Sequence, residues 1–283
     1  MDRSPLTRLR MTATLAMALL ATLVVPQAMA SDLARAADLI RSEAGSHRLV
    51  LLGEKHGTRE IPDLVAMLVS SYAGEEPVLL GLEIPRSEHQ ALKRYLDSDG
   101  GARARDTLRS TPFWQVQGTQ HDGRRSQDML DLVEHVRTLR ASGHDIALLP
   151  YDVAEGDIPD GVIDADARDR AMASIVRHAW SNLPRGRLLV LGGNVHAMLE
   201  RPTYAPAEMQ TPMGAWLRDL DPYSIDIVAR SGAFWACLQE CGPLASTAGA
   251  ATSGPTKGPF RYRVVLERFS VARLLGDEAQ APP

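Results

Sequence analysis

The sequence predicts an α/β fold, in which an open parallel or mixed sheet is covered by helices on both faces and carries a helical or loop insertion. Two observations support this prediction. Short apolar segments rich in β-branched residues alternate with segments of helical periodicity, an order that is typical of βαβ units with right-handed crossovers. The apolar segments are also nearly continuous, as in parallel strands that are buried on both faces.

The strands of this sheet are predicted at short apolar runs that each follow a helical pattern. Four such runs are residues 48–52, 78–82, 145–149 and 187–191. Two later runs, residues 224–229 and 262–266, are predicted to add strands, with an antiparallel position at an edge as one option.

The helices are indicated by apolar residues at helical spacing over residues 61–69 and 129–139. Asp164 is a candidate N-cap for a third helix that runs to about Asn182. Residues 100–125 have few periodic apolar positions. We therefore expect them to form an insertion that covers the site as a lid.

The first thirty residues have the three regions of a secretory signal peptide. Three arginines precede an apolar run at residues 11–25, and residues 28–30 are the small-residue triplet Ala-Met-Ala. The run is shorter than the ~20 apolar residues of a membrane span, so we expect cleavage after Ala30 and no stable membrane insertion afterwards. The expected location is periplasmic or secreted, and a single uncleaved anchor is the alternative.

The remaining chain, residues 31–276, is long enough for one α/β domain with its own core. Residues 242–259 are rich in Gly, Pro, Ala, Ser and Thr, which predicts a flexible surface loop. Residues 277–283 are expected to be a disordered tail. The formal net charge is −4, and the charged residues are scattered, so the composition argues against a nucleic-acid partner.

The chain has only two cysteines, Cys237 and Cys241. In an oxidising, exported compartment such a pair is expected to form one structural disulfide. A redox or metal-binding role is the alternative.

Polar residues follow each of the four predicted strands. These are Glu54 and His56 after the first strand, Glu83 after the second, Asp152 after the third, and Asn194 and His196 after the fourth. Ligands of open α/β sheets bind beyond the carboxyl ends of the strands, so we expect these side chains to share one site. Taken singly, each residue is also explained as a helix cap or a solvated turn position.

Glu83 is expected to have a charged or hydrogen-bonding partner, because it ends a predicted buried strand. A buried carboxylate is costly unless it is paired or hydrogen-bonded. His56, Arg59 and Arg86 are the partners that the sequence offers.

Several segments resemble a known superfamily. Residues 52–60, Leu-Gly-Glu-Lys-His-Gly-Thr-Arg-Glu, resemble the opening motif of the erythromycin esterase family. The two Gly-x-x-His segments, Gly53–His56 and Gly193–His196, with a glutamate between them resemble the broader Tiki, TraB and ChaN (haem-binding uptake) superfamily. Three further segments agree in order: residues 81–83, 168–173 and 212–217.

The resemblance implies a ChaN/erythromycin esterase-like domain but leaves three activities open. The superfamily includes hydrolases that open macrolide esters, metal-dependent proteases and haem-binding lipoproteins. This chain is shorter than the esterases, has no lipobox cysteine after its signal and offers no identifiable tyrosine ligand for haem. Hydrolysis of an ester, lactone or amide in a small-molecule or peptide substrate is the favoured expectation.

In the hydrolytic hypothesis, His56 is neutral near pH 7 and acts as a general base, with Glu54 or Glu83 orienting its imidazole. His196 stabilises the oxyanion or protonates the leaving group. The substrate-binding candidates are Arg59, Arg168, Asn194 and Asp152, of which the two arginines would hold an anionic or carbonyl group.

Two alternatives use the same crevice differently. In a metal-dependent variant, His56, His196, Glu54 and Glu83 become ligands of a divalent metal that keeps a position open for water. In a non-catalytic variant the crevice binds haem between apolar walls. The candidate wall residues are Phe113, Trp114, Met198 and Met213.

Overall fold

The computed structural model describes residues 30–115, 121–153, 166–203, 205–206, 209–237 and 240–276. All but the last residue of the predicted signal peptide, the candidate cap Asp164 and the predicted tail lie outside these ranges.

The fold is a mixed α/β arrangement around an open sheet, as the sequence predicts. The strands are β1 (Leu49–Glu54), β2 (Val78–Pro85), β3 (Ile146–Asp152), β4 (Arg187–Gly193), β5 (Tyr223–Cys237), β6 (Cys241–Ala245), β7 (Gly254–Pro255) and β8 (Tyr262–Phe269). Their order is β3-β2-β4-β1-β5-β8-β7, and β6 pairs with β5 outside this path. All four strands predicted from apolar runs are confirmed.

The two later predicted strands lie inside the sheet and pair in parallel with each other, and each also has a short antiparallel partner. β5 lies inside the sheet, where it pairs in parallel with both β1 and β8. The antiparallel pairs are β5–β6 and β7–β8. Both short strands, β6 and β7, fall in or at the border of residues 242–259, which the composition predicts as loop. Strands pair through main-chain hydrogen bonds, so two strands this short have no distinctive side-chain pattern in the sequence.

The helices are α1 (residues 30–44), α2 (Glu60–Ala73), α3 (His89–Leu96), α4 (Ala102–Arg109), α5 (Gln127–Ala141), α6 (Ala167–Ser181) and α7 (Met213–Trp216). Ser126 is the N-cap of α5, and its side chain accepts a hydrogen bond from the Met129 N–H. In the described part of the chain, no helix is long and apolar enough to cross a bilayer.

Each face of the sheet has its own apolar core. Val50 and Leu52 of β1 pack with α1, α2 and α5, whereas Leu49 and Leu51 pack with α6. Adjacent residues of a strand point to opposite faces, so a continuous apolar run fills both cores. This explains why the strands could be predicted from the sequence.

The register of the sheet brings the strand ends to one level. Gly53 pairs with Gly192 and Glu54 pairs with Gly193 across the parallel β1–β4 ladder. The loops that follow β1 and β4 therefore leave the same edge of the sheet side by side. This edge carries the candidate site.

Candidate active site

Glu83 lies at the centre of a charged cluster at this edge. It is 6 % exposed, and its Oε2 accepts a hydrogen bond from the Gly193 N–H at 2.7 Å. The Nε2 atoms of His56 and His196 each lie 3.7 Å from one of its oxygens, Oε2 for His56 and Oε1 for His196. The two imidazoles thus approach one carboxylate from two sides.

Two arginines complete the surroundings of Glu83. Arg168 Nη2 donates to Oε1 at 2.9 Å, and Arg124 Nη1 lies 3.3 Å from the same oxygen. Of the partners expected from the sequence, His56 is near, whereas Arg59 donates to the Val271 carbonyl instead. The long arginine side chains reach Glu83 from other elements, so local sequence spacing did not indicate them.

The charges around Glu83 favour its ionised form. Burial alone would raise the pKa of this carboxyl, but His56, His196, Arg124 and Arg168 together outweigh it and hold the pKa well below its ordinary value. Glu83 is therefore a fixed negative charge throughout the physiological pH range.

His56 is held by its neighbour on the same loop. Its Nδ1 lies 3.0 Å from Oε1 of Glu54, which is 5 % exposed. Burial lowers the pKa of His56, but the charges of Glu83 and Glu54 and the hydrogen bond to Glu54 raise it by more, and Arg124 opposes them. The net pKa is raised above 6.5, so the neutral form assumed from the sequence becomes dominant at a higher pH than in a free imidazole.

His196 is held by a carboxylate that the sequence analysis did not single out. Its Nδ1 lies 2.7 Å from Oδ1 of Asp169, an oxygen that also accepts the Met213 N–H at 2.6 Å. Arg168 Nη1 lies 3.1 Å from His196 Nε2. A guanidinium can only donate, so Nε2 accepts and the ring proton is on Nδ1, facing Asp169.

Asp152 joins the two arginines to each other. Its Oδ1 accepts from Arg168 Nε at 2.9 Å and its Oδ2 from Arg124 Nη1 at 2.8 Å. The nearby carboxylates outweigh burial and raise the pKa of both guanidiniums. Asp152 thus positions the arginines in this structure, and its predicted contact with substrate stays a prediction.

Two glycines on β4 leave room for the cluster. A Cβ on Gly192 would stand 2.0 Å from the Tyr151 hydroxyl, which donates to the Leu191 carbonyl at 2.9 Å. A Cβ on Gly193 would stand 3.1 Å from His56 Nε2 and 3.4 Å from His196 Cδ2. The point next to Gly193 is therefore bordered by both imidazoles, and the missing side chain keeps it accessible.

The remaining predicted site residues are placed as follows. Asn194 donates its main-chain N–H to the Glu54 carbonyl at 2.9 Å, which ties the loop after β4 to β1. Arg59 is exposed and lines a separate cleft formed with α1 and α2. Its predicted contact with substrate stays a prediction, and none of its hydrogen bonds in the described chain reaches Glu83.

The residues present do not fit a divalent metal well. Within the described ranges, no group of three or more His, Cys, Asp or Glu side chains is arranged to hold a metal ion. Both Nδ1 atoms are taken by carboxylates, Arg168 occupies the His196 Nε2 lone pair, and two guanidiniums contact Glu83. These fixed positive charges oppose a cation at this point.

The candidate haem walls are largely parts of the two cores. Phe113 and Trp114 belong to the core under α2 and α5, and Met213 belongs to the core under α6. Met198 is partly buried against that second core. The described structure offers no exposed apolar wall from Phe113, Trp114 or Met213, which are all buried.

Comparisons with known proteins locate this architecture among solved structures. No protein-family model matches the sequence, and no curated protein matches it significantly. A crystal structure of a Bacillus cereus protein is similar, with a TM-score of 0.61 and 13 % identity over 83 % of this chain and 92 % of that one. The chain shares this fold.

Two further structures have the same fold at similarly low identity. An erythromycin esterase variant in its open conformation has a TM-score of 0.60 and 12 % identity, covering 84 % of this chain and 94 % of that one. A succinoglycan biosynthesis protein has a TM-score of 0.61 and 10 % identity, covering 83 % and 91 %. Identities this low establish a common fold and leave activity to be argued from the site.

Proposed function

We propose that this protein is an exported hydrolase of the ChaN, Tiki and erythromycin esterase-like superfamily, which activates water to cleave an ester, lactone or amide. One observation carries the proposal. Two histidines, each bonded through Nδ1 to a carboxylate, turn their Nε2 atoms toward Glu83 on either side of the side-chain-free Gly193. The shared fold with an erythromycin esterase and the resemblance of residues 52–60 add support.

The proposed base is His56 in its neutral form. It takes a proton from water through Nε2, and the imidazolium that forms is stabilised by Glu54 at Nδ1 and by Glu83. Because these charges raise the pKa of His56, kcat/KM is expected to rise with pH until His56 is neutral and then to level off.

The proposed partner of this base is the Arg168–His196 pair. Arg168 has a partly exposed guanidinium, and it holds the substrate carbonyl oxygen as negative charge develops there. The His56 imidazolium then gives the proton that it took from water to the leaving group, and His196, fixed by Asp169, holds Arg168 in position through its Nε2 lone pair.

The decisive experiment is a hydrolysis assay on a panel of neutral esters, lactones and amides. His56→Ala and His196→Ala are each expected to lower kcat/KM by ~10²-fold or more while the protein stays folded. His178→Ala removes an exposed imidazole from α6 and serves as the matched control. Wild-type rates in either active-site variant would refute the assigned roles.

Two additions to the assay separate the alternatives. We expect turnover to survive a chelator; loss of turnover on chelation, restored by a divalent metal, would favour the metal-dependent protease. A saturable one-to-one Soret shift on haem addition, without hydrolysis of any substrate, would favour the haem-binding protein.

Export is proposed on two grounds. The first thirty residues have the pattern of a signal peptide, and Cys237 and Cys241 form a disulfide, a bond that persists in oxidising compartments. The mass of the protein isolated from a periplasmic or culture fraction should correspond to a chain that begins at Ser31. An intact chain confined to the cytoplasm would contradict export.

A further inference from the structure

The β5–β6 hairpin extends beyond the sheet next to the candidate site. β5 pairs with β1 as far as Asp226 and with β8 as far as Gly232. From Ala233 to Cys237 its ladder partner is β6, and the Cys237–Cys241 disulfide joins the two strands. The projecting part of β5 therefore depends on contacts outside the sheet for its position.

Trp235 supplies these contacts through its main chain and its indole. Its N–H donates to the Gly57 carbonyl at 3.0 Å, and its Nε1 donates to the His121 carbonyl at 2.6 Å. Cys237 Sγ lies 3.1 Å from the same His121 oxygen. One residue of the hairpin thus joins two loops that are distant in sequence.

The contact leaves no room for a side chain at the two glycines of these loops, Gly57 and Gly123. Gly57 has a φ of 67°, and a Cβ there would stand 2.5 Å from the Trp235 Cβ. Gly123 has a φ of 86°, and its Cβ would stand 2.8 Å from the Gly57 nitrogen. Both backbones adopt the left-handed conformation that glycine accepts without strain, and three chain segments meet at van der Waals distance.

Each of these loops carries a charged group of the site next to its glycine. His56 precedes Gly57, and Arg124 follows Gly123. Arg124 in turn contacts both Glu83 and Asp152. The Trp235 main chain therefore contacts the residue next to His56, and its indole bonds the loop that carries Arg124 three residues further on, so a displacement of Trp235 reaches both charged groups.

We propose that Trp235 is a positioning residue, which holds the His56 loop and the Arg124 loop in fixed relation and so sets the arrangement of charges around Glu83. The proposal rests on the proposed hydrolytic function for its catalytic consequence, but its structural part stands without it. Arg124 is the positive charge that opposes Glu54 and Glu83 in setting the pKa of His56. Loosening Arg124 is therefore expected to raise that pKa.

The test compares Trp235→Phe with Trp180→Phe. The first removes the indole donor and keeps an aromatic ring; the second makes the same change on α6, where Trp180 stacks with Arg48 away from the site. NMR titration of the His56 imidazole in the full chain should show a pKa raised by several tenths of a pH unit in Trp235→Phe alone. The acid limb of the kcat/KM profile should move by the same amount, with a roughly tenfold loss in kcat and little change in KM.

A second variant keeps the test decisive if Trp235→Phe unfolds. Cys237→Ser combined with Cys241→Ser opens the hairpin without changing Trp235, and a smaller upward shift of the His56 pKa is expected. A His56 titration identical to wild type in a folded Trp235→Phe protein, or in the double variant, would overturn the positioning role. Absence of hydrolysis by the wild-type protein would overturn the proposed function alone, because the titration needs no substrate.

Discussion

The two histidines of the site are held in different ways. His56 and Glu54 lie two residues apart at the end of one strand, whereas His196 reaches Asp169 on a separate helix, α6. The Nε2 of His56 faces Glu83, and the Nε2 of His196 is occupied by Arg168. The first imidazole is therefore placed to take up a proton between two carboxylates. The second is held between the Asp169 carboxylate at Nδ1 and the Arg168 guanidinium at Nε2.

Glu83 is shared by both histidines, so its neutralisation should have the largest effect. Glu83→Gln removes one of the two buried carboxylates that Arg124 and Arg168 share, the other being Asp152. We expect ~10³-fold loss of kcat/KM and a free energy of unfolding lowered by ~3 kcal/mol. Hydrolysis rates and urea unfolding measure the two effects. Glu200→Gln, an exposed carboxylate at the far end of the loop after β4, is the control. An active, fully stable Glu83→Gln protein would contradict the central role of this charge.

Gly193→Ala should affect both histidines through space alone. The added methyl would lie 3.1 Å from His56 Nε2 and 3.4 Å from His196 Cδ2, where the reacting atoms are expected. We expect ~10²-fold loss of kcat/KM with a small change in the free energy of unfolding, because the imidazole can shift by a few tenths of an ångström. Unchanged kinetics in this variant would show that the reaction takes place elsewhere.

Glu54→Gln and Asp169→Asn should separate the two histidines. Glu54 raises the pKa of His56, so Glu54→Gln is expected to lower it and to move the acid limb of the pH–rate profile to lower pH. Asp169→Asn is expected to leave that limb in place but to lower the free energy of unfolding by ~1 kcal/mol, because Asp169 also accepts the Met213 N–H. Equal shifts of the acid limb of the pH–rate profile in both variants would contradict the different roles assigned to His56 and His196.

The pH dependence of stability should show the smallest effect. The folded-state pKa of His56 is raised above its unfolded value of 6.5. The contribution of His56 to the free energy of unfolding is therefore complete below pH 6.5 and is lost as the pH rises through the folded-state pKa. Urea unfolding of wild type and His56→Gln on both sides of this range measures it. The difference in free energy of unfolding between the two proteins should shrink with rising pH. A difference that grows would reverse the assigned sign.

The site residues that lie at or just after the ends of strands could be predicted from the sequence. His56, Glu83 and His196 were found because short apolar runs mark strands and ligands meet at the carboxyl ends of such strands. The same reasoning placed Asp152 beside them, although the structure shows it holding arginines.

The rest of the site depends on side chains that arrive from elsewhere. Arg124 follows a glycine in a segment without periodic apolar positions, and nothing local indicates that it reaches Glu83. Asp169 lies in the first turn of α6, where an acidic residue is ordinarily explained by the helix dipole. The sequence predicts a substrate contact for the neighbouring Arg168 and a haem wall for Met213, and neither prediction points to Asp169. His196 and the Met213 N–H meet at one oxygen of Asp169, a tertiary contact that sequence spacing does not indicate.

β1 and β4 end at the same level of the sheet, and this limits where the chain tolerates insertions and deletions. Glu54 and Gly193 are register partners, so one residue added to or removed from either strand would move one histidine by ~3.4 Å along the sheet and reverse the faces of the residues beyond it. Sequence length between the start of each strand and its Gly-x-x-His segment should therefore be far more constrained than the identity of the apolar residues that fill it.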